Sequence, residues 1–307
     1  MYKLEPYKGR STRHICPECQ SRDKTFVRYI DDNGNYLSNV VGRCNRESKC
    51  GYHYTPKQYF TDNPQRKSDF KPIFSPQSKK IDKPLCFISF EYVRQAKSER
   101  SNFITFVKTL FDEVDIKRVI DDYHLGVTKS GDTIFWQIDI KGNVRTGKIQ
   151  GYNPSTGKRI KGNPDRIDWV HSKLKKQGNL PSDWELTQCL FGEHLLSKYP
   201  TKPVAIVEGE KNAILGAIYY GDCIWLATGN KQAFTYDKLK VLRGRKIIIY
   251  PDTDSLNEWR EKAQKISFLM SAKISDLLNQ EASQEEIKQG FDMADYIIKQ
   301  VKQQVNI

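Results

Sequence analysis

Three short apolar runs, Val204–Val207, Cys223–Ala227 and Lys246–Tyr250, dominate the second half of the chain. None alternates with period two. Each is β-branched or aromatic and is followed at once by polar residues, as strands buried on both faces of a parallel sheet are. Ala213–Tyr219, between the first two, reads as a helix, so the pattern is βαβ, repeated. The strands are followed by Glu208, by Gly229-Asn230, and by Asp252 with Asp254. In open α/β sheets ligands bind outside the carboxyl ends of the strands. Three carboxylates meeting there repel one another unless a cation sits between them. Magnesium suits such a cluster, because one or two carboxylates hold it and water and phosphate oxygens complete its shell. An aspartate after a strand also commonly caps the next helix. Here Ser255-Leu256-Asn257-Glu258 is a capping box with Ser255 as the predicted cap, which leaves both aspartates to the cation.

Upstream, the periodicity changes three times. Phe90, Val93 and Ala96, then Phe103, Phe106, Val107, Leu110 and Phe111, recur at helical spacing, and Asp115–Asp122 predicts a further short helix. Thr133–Ile140 and Val144–Tyr152 read as strands paired through Lys141-Gly142-Asn143, with a second turn over Asn153–Gly157. Near the amino terminus, Thr25–Ile30 and Tyr36–Val41 read as strands joined by the turn Asp31–Asn35. Thr61–Lys83 has prolines at 64, 72 and 76 and little apolar periodicity, the composition of a tether. The expected division is therefore residues 1–60, a linker over 61–84, an α+β subdomain over 85–198 and a mostly parallel α/β sheet domain over 199–307.

Charge narrows the partner. The 307-residue chain carries a net charge of +13 and a pI of about 9.2, which points to an anionic partner, most commonly nucleic acid. No apolar run approaches the ~20 residues that span a bilayer, and MYKLEPYKGRS lacks the apolar core of a signal peptide. A cytoplasmic protein is expected, with no membrane partner and its seven cysteines reduced.

Four of those cysteines are spaced for metal. Cys16 and Cys19 form a CxxC knuckle, and Cys44 and Cys50 a looser pair. Four thiolates give zinc a closed structural site, and with two strands between the pairs the segment reads as a zinc ribbon. His14 and His53 lie close enough to substitute as ligands, but the cysteines suffice. Basic residues, Arg43 among them, are interleaved with Phe26, Tyr29, Tyr36, Tyr52 and Tyr54, the mixture that single-strand binding uses. A second basic region, Lys141–Gln177, carries ten Lys or Arg against two Asp and reads as a phosphate-tracking groove. Gly151 to Gly157-Lys158 is not a P-loop. It has one residue too many between the glycines, and Arg159 stands where Ser or Thr would bind magnesium.

Taken in order, these parts resemble the bacterial-type (DnaG-like) primases, whose catalytic fold is the TOPRIM domain. Glu208-Gly209 is similar to the TOPRIM glutamate motif and Asp252-Thr253-Asp254 to its DxD motif. Asp132–Asp139 with Gly142 and Gly147, Leu190-Phe191-Gly192, and Gly290–Tyr296 resemble further primase elements, and the likeness is greatest to the compact primases of plasmids and mobile elements. The resemblance implies synthesis of a short RNA on single-stranded DNA from nucleoside triphosphates. Glu208, Asp252 and Asp254, with Asp292, would hold magnesium, and Arg145, Lys148, Lys158, Arg159 and Lys211 would hold template or triphosphate. The ribbon would engage template through a structural zinc on Cys16, Cys19, Cys44 and Cys50. The chain departs from the pattern at Asn212, where primases usually carry Asp, and no helicase motor follows, so a helicase is expected to be a separate partner. The alternatives are a TOPRIM nuclease, in which the same acids activate water, and a non-catalytic DNA-binding replication or mobilisation factor.

Overall fold

The computed structural model describes residues 2–46, 50–63, 86–161, 167–181, 183–266, 269 and 272–305. The chain divides into two compact units, residues 1–81 and 82–307. Most of the predicted linker, residues 64–84, lies outside the described residues, while Thr61 and Asp62 close a short helix.

Unit 1 is an antiparallel sheet in the order β1 (Lys3–Leu4), β2 (Phe26–Ile30), β3 (Gly42–Cys44), β4 (His53–Tyr54), followed by α1 (Pro56–Asp62). Helix α1 begins in a capping box, Thr55 with Gln58, and Pro56 takes the first turn, where its missing N–H costs nothing. The turn after β2 is fixed by Asp31, whose Oδ1 accepts from the N–H groups of Asn33 and Asn35 at 2.9 and 2.8 Å. The strand expected over Tyr36–Val41 is not formed. Leu37 N–H donates to Tyr29 O, and Val41 O accepts from Tyr29 N–H, so one residue of β2 serves both and Ser38-Asn39-Val40 loop out. Pairing resumes at Gly42, where a Cβ would strike the carbonyl of Val27 and the Phe26 ring.

Unit 2 begins with α2 (Glu91–Ala96), α3 (Asn102–Val107) and α4 (Glu113–Tyr123). An antiparallel sheet follows in the order β5 (Gly126–Val127), β6 (Thr133–Ile138), β7 (Val144–Gln150), β8 (Ile167–Trp169), and then α5 (Val170–Lys176) and α6 (Leu195–Lys198). Strand β6 is buried on both faces. Phe135 joins one core, whereas Ile134, Trp136 and Ile138 point into the other, with Val93, Val170 and Trp184. The period-two rule thus survives, with two apolar environments in place of one apolar and one wet.

The rest is β9 (Val204–Val207), α7 (Glu210–Tyr219), β10 (Ile224–Ala227), α8 (Tyr236–Leu239), β11 (Ile247–Ile249), α9 (Leu256–Gln264), β12 (Lys273–Ile274), α10 (Leu277–Glu281), α11 (Gln284–Gln289) and α12 (Met293–Val305). The four strands form a parallel sheet in the order β10-β9-β11-β12, the α/β architecture expected. Just ahead of it, Phe191 of the Leu190-Phe191-Gly192 element exchanges backbone hydrogen bonds with Ala227, covering the edge of β10. Strand β9 is central. The chain leaves it for β10 on one side and returns to β11 on the other, so the sheet has a topological switch point at β9.

Helix α7 packs flat against β10 because Gly216 faces the Trp225 indole, and a methyl there would collide with the ring. Gly216→Ala gains about 1 kcal/mol in helix propensity but overpacks the core, which costs about 1–3 kcal/mol. The expected result is a net loss of stability in urea denaturation. A raised midpoint would show that the helix can slide away from Trp225.

Candidate metal centres and acidic site

In unit 1 the four cysteine side chains converge. Their Sγ atoms all lie within 4.8 Å of one another, with Cys16–Cys50 at 3.8 Å and Cys19–Cys44 at 4.0 Å. Four sulfurs at about 2.3 Å from zinc lie about 3.8 Å apart in a tetrahedron, so the set fits zinc. The Ser21 backbone N–H draws the Cys19 thiol down to about 7, into the range where the thiolate ligand is available. Across the wider C-x5-C spacing, Cys50 N–H donates to Arg46 O. His14 and His53 are engaged elsewhere: His14 with Glu5 and the Tyr36 ring, His53 with the Tyr29 hydroxyl at 2.9 Å. The structure also sorts the aromatic residues. Phe26 and Tyr52 pack on the cysteine cluster, whereas Tyr7 and Tyr36 are 68% and 42% exposed beneath the guanidinium groups of Arg13 and Arg28. Arg43 lies on β3, in register with Val27 and His53.

In unit 2 the acidic site forms at the switch point. Glu208 follows β9 and Asp252 and Asp254 follow β11, the adjacent strand, so two neighbouring strand ends deliver all three carboxylates. A cavity of about 80 Å³ is lined by Glu208, Asp252 and Asp292 on the acidic side and by Lys148, Arg159 and Lys211 on the basic side. Asp292 and Asp295 arrive from the start of α12. Burial, then the charges of Asp292, Glu208, Asp254 and Asp295, push the Asp252 carboxyl well above the usual aspartate range. Burial and Asp254 raise Glu208, and burial and Asp292 raise Asp295. Such mutual repulsion is what a bound cation relieves. Among the described residues only the cysteines draw three or more ligating side chains within 4.8 Å of one another, so the acids are set more openly. As placed, no more than two of the acids can bind one ion directly, and magnesium is commonly held by one or two carboxylates with water completing its shell.

Ser255 behaves differently from the capping prediction. It precedes α9 but makes no capping bond. Its hydroxyl reaches Asp254 Oδ1 at 2.9 Å and Glu208 Oε2 at 3.3 Å. Ionised acceptors make the stronger hydrogen bonds, so the carboxylates win the hydroxyl from the helix end. Asn212 is also bound into the cluster. Its Nδ2 donates to Asp252 Oδ1 at 3.4 Å and its Oδ1 accepts from Ala294 N–H at 3.2 Å. An amide at this position adds a donor where a carboxylate would add a further charge.

The predicted basic residues fall into three groups. Arg159 and Lys211 line the acidic cavity, and Lys211 lies 3.9 Å from both Asp292 and Asp295. Lys158 lies beside Arg159 on a neighbouring groove. Arg145 is not brought to the site. Asp139 holds it at 2.8 Å, and it covers the Phe87 ring. Lys148 reaches the cavity, but its ammonium is paired at 2.8 Å with Glu210, a residue the sequence patterns did not single out. Lys231 was also missed; it lies 3.7 Å from Asp254 and 3.5 Å from Glu258. No motif marked either residue, because each partner is distant in sequence or masked by ordinary helix-start chemistry.

The Lys148–Glu210 pair is dry: the side chains are 12% and 4% exposed. Removing one member leaves a buried charge, at a cost of about 3–5 kcal/mol. Glu210→Ala and Lys148→Met are each expected to lose stability on that scale, and Lys148→Met with Glu210→Leu to recover most of it. A urea-denaturation cycle measures this, and purely additive losses would mean the pair is solvated.

Residues 101–253 match the model of a domain of unknown function, DUF6371, and residues 1–65 match that of a zinc beta-ribbon finger. No curated protein matches the chain. Among solved structures, the chain is similar to the primase fragment of the bacteriophage T7 primase-helicase protein, at 15% identity over 96% of this chain and 97% of that one, with a TM-score of 0.43. It is similar to a DnaG primase catalytic domain bound to single-stranded DNA, at 12% identity over 70% and 81%, TM-score 0.38. It is also similar to the zinc-binding and RNA polymerase domains of the Aquifex aeolicus primase, at 12% identity over 99% and 84%, TM-score 0.33.

Proposed function

We propose that this chain is a DNA primase, a magnesium-dependent nucleotidyltransferase that joins ribonucleoside triphosphates on a single-stranded DNA template. The observation that carries the reading is the convergence of Glu208, Asp252 and Asp292 with Lys148, Arg159 and Lys211 on one cavity at the switch point of a parallel sheet. Carboxylates that repel one another call for a cation, and cations beside them call for phosphate. Phosphoryl transfer needs that combination, because its catalysis is mostly positioning and electrostatics.

In this reading Glu208, Asp252 and Asp254 hold the metal, with Asp292 beside them. Magnesium, when bound, acidifies the attacking 3′-hydroxyl and neutralises the triphosphate and its leaving pyrophosphate. Ser255 braces Glu208 and Asp254, and Asn212 orients Asp252. Arg159 and Lys211 take the triphosphate oxygens, with Lys148 beside them. The ribbon carries a structural zinc and presents Arg43 and the cation-covered tyrosines to single-stranded template, which supplies the ring-and-cation chemistry such binding needs.

Incubation with single-stranded DNA, labelled ribonucleotides and magnesium tests this directly. Labelled RNA that disappears in Asp252→Ala is the expected outcome. DNA shortened instead would move the same acids to a nuclease, and salt-sensitive binding with no product at all would leave a non-catalytic binding factor.

A further inference from the structure

The loop that follows β10 brings a cation to the acids from the third strand end at the switch point. Thr228 N–H donates to Val207 O and Gly229 N–H to Glu208 O at 2.8 Å, so the loop is bonded to the end of β9. Asn230 Oδ1 accepts from Ala233 N–H at 2.9 Å and closes the turn in which Lys231 stands. The Lys231 carbonyl oxygen accepts from Trp259 Nε1 and Lys262 Nζ, each at 3.3 Å, which ties its backbone to α9 as well. Its ammonium is therefore carried on a backbone fixed from both sides.

That ammonium turns to Asp254. It donates to the Asp254 main-chain oxygen at 2.7 Å and lies 3.7 Å from Asp254 Oδ2. Ser255 Oγ donates to the other carboxylate oxygen, Oδ1, at 2.9 Å. Asp254 is thus engaged outside the cavity, whose lining takes its acids from Glu208, Glu210, Asp252 and Asp292. Burial and Asp254 raise Glu208, and Ser255 and Lys231 oppose that rise. Pairing with Glu258, at 3.5 Å, is the ordinary explanation for such a lysine. Glu258, however, already holds Lys262 at 2.7 Å, and the shortest contact of Lys231 is with Asp254. The Lys231 side chain is 23% exposed, so water and salt screen its charge only in part.

We propose that Lys231 is a positioning residue that serves the acids as a resident counter-cation, and that a divalent ion entering the site competes with it for Asp254. This role rests on the reading of the acids as a cation site. Without an ion, Glu208, Asp252 and Asp254 repel one another, and the ammonium relieves part of that repulsion. With an ion bound, the ion and the ammonium are like charges close together. Lys231 therefore stabilises the empty site and lowers its affinity for the ion, and so sets how much magnesium the site requires. Lys211 stands differently. It lies 3.9 Å from Asp292 and Asp295 and lines the cavity, where the triphosphate is expected, whereas Lys231 lies outside that lining and acts on Asp254.

The test is a titration of the zinc-loaded full chain with manganese(II), the free ion being read by electron paramagnetic resonance, together with thermal scans with and without magnesium. Lys231→Met is expected to tighten manganese binding about tenfold, because the repulsion between ion and ammonium is removed. It is also expected to lower the metal-free midpoint and to enlarge the gain on adding magnesium. A purely structural lysine would lower both midpoints alike. Lys231→Gln is expected to act in the same direction, and Lys231→Arg, which keeps the charge, to stay near the parent. Lys262→Met, which leaves Asp254 untouched, is expected to leave affinity unchanged. Unchanged or weaker binding in both Lys231→Met and Lys231→Gln overturns the proposal and, with primer still made by the parent, leaves the primase reading standing. Equal tightening in Lys262→Met overturns it too, because the effect would then belong to the general field of that face. A parent chain that binds no manganese overturns it together with the cation reading of the acids. If affinity shifts as expected but no primer is made, Lys231 keeps its role and the primase reading falls.

Discussion

Asp252→Ala is expected to lower primer synthesis about a thousandfold while leaving DNA binding intact. Metal-ion catalysis contributes several kcal/mol of charge stabilisation in the transition state, and about 4 kcal/mol corresponds to about a thousandfold in rate. Asp252 is the member of the cluster most affected by its neighbours, being buried and facing Asp292, Glu208, Asp254 and Asp295. The same substitution has a signature independent of turnover. Below the usual aspartate value of 3.8, folded and unfolded chains both carry the proton. Above it the unfolded chain releases the proton while the folded carboxyl retains it, so metal-free stability falls as pH rises. Magnesium is expected to reverse that fall at neutral pH. Asp252→Asn should therefore raise the thermal midpoint of metal-free protein and blunt the gain on adding magnesium. A thermal scan with and without the ion, at mildly acidic and neutral pH, measures both effects. Equal behaviour of parent and variant would remove Asp252 from the metal site.

Zinc removal is the second large effect. The buried cluster at the cysteines consists of Cys16, Phe26 and Cys44, with Cys19, Cys50 and Tyr52 against it, so it is largely the metal ligands themselves. Structural zinc contributes about 10–16 kcal/mol of apparent binding free energy in small ribbons, more than the whole stability of many domains. Chelation is expected to abolish hydrogen-exchange protection across β2, β3 and β4 while the parallel sheet β9–β12 keeps its own. Simultaneous loss in both units would show that they fold as one, and protection retained in unit 1 would show that its sheet stands without metal.

Much of the architecture was legible because local chemistry and tertiary demand agreed. The runs at Val204, Cys223 and Lys246 became β9, β10 and β11 to within a residue or two, since strands buried on both faces leave an uninterrupted apolar signature. The C-x2-C knuckle marked its site through spacing alone. Disagreement arose where a residue had two possible partners. Ser255 sits in a capping box, yet its hydroxyl turned to the carboxylates, and Leu37 and Val41 both bonded Tyr29, so the strand expected after the Asp31–Asn35 turn did not form.

The sequence by itself determined the strands β9, β10 and β11, the acidic residues at the ends of β9 and β11, and the cysteine spacing of the ribbon. It did so because backbone propensity, apolar periodicity and ligand spacing act over a few residues. Only the tertiary structure decided which strand ends are neighbours, that Lys148 is bound to Glu210 while Arg145 is held away by Asp139, and that α12 faces the Lys158–Lys161 segment across a groove. Those outcomes depend on how distant segments pack, and Coulomb energy between charged groups depends on their separation in space.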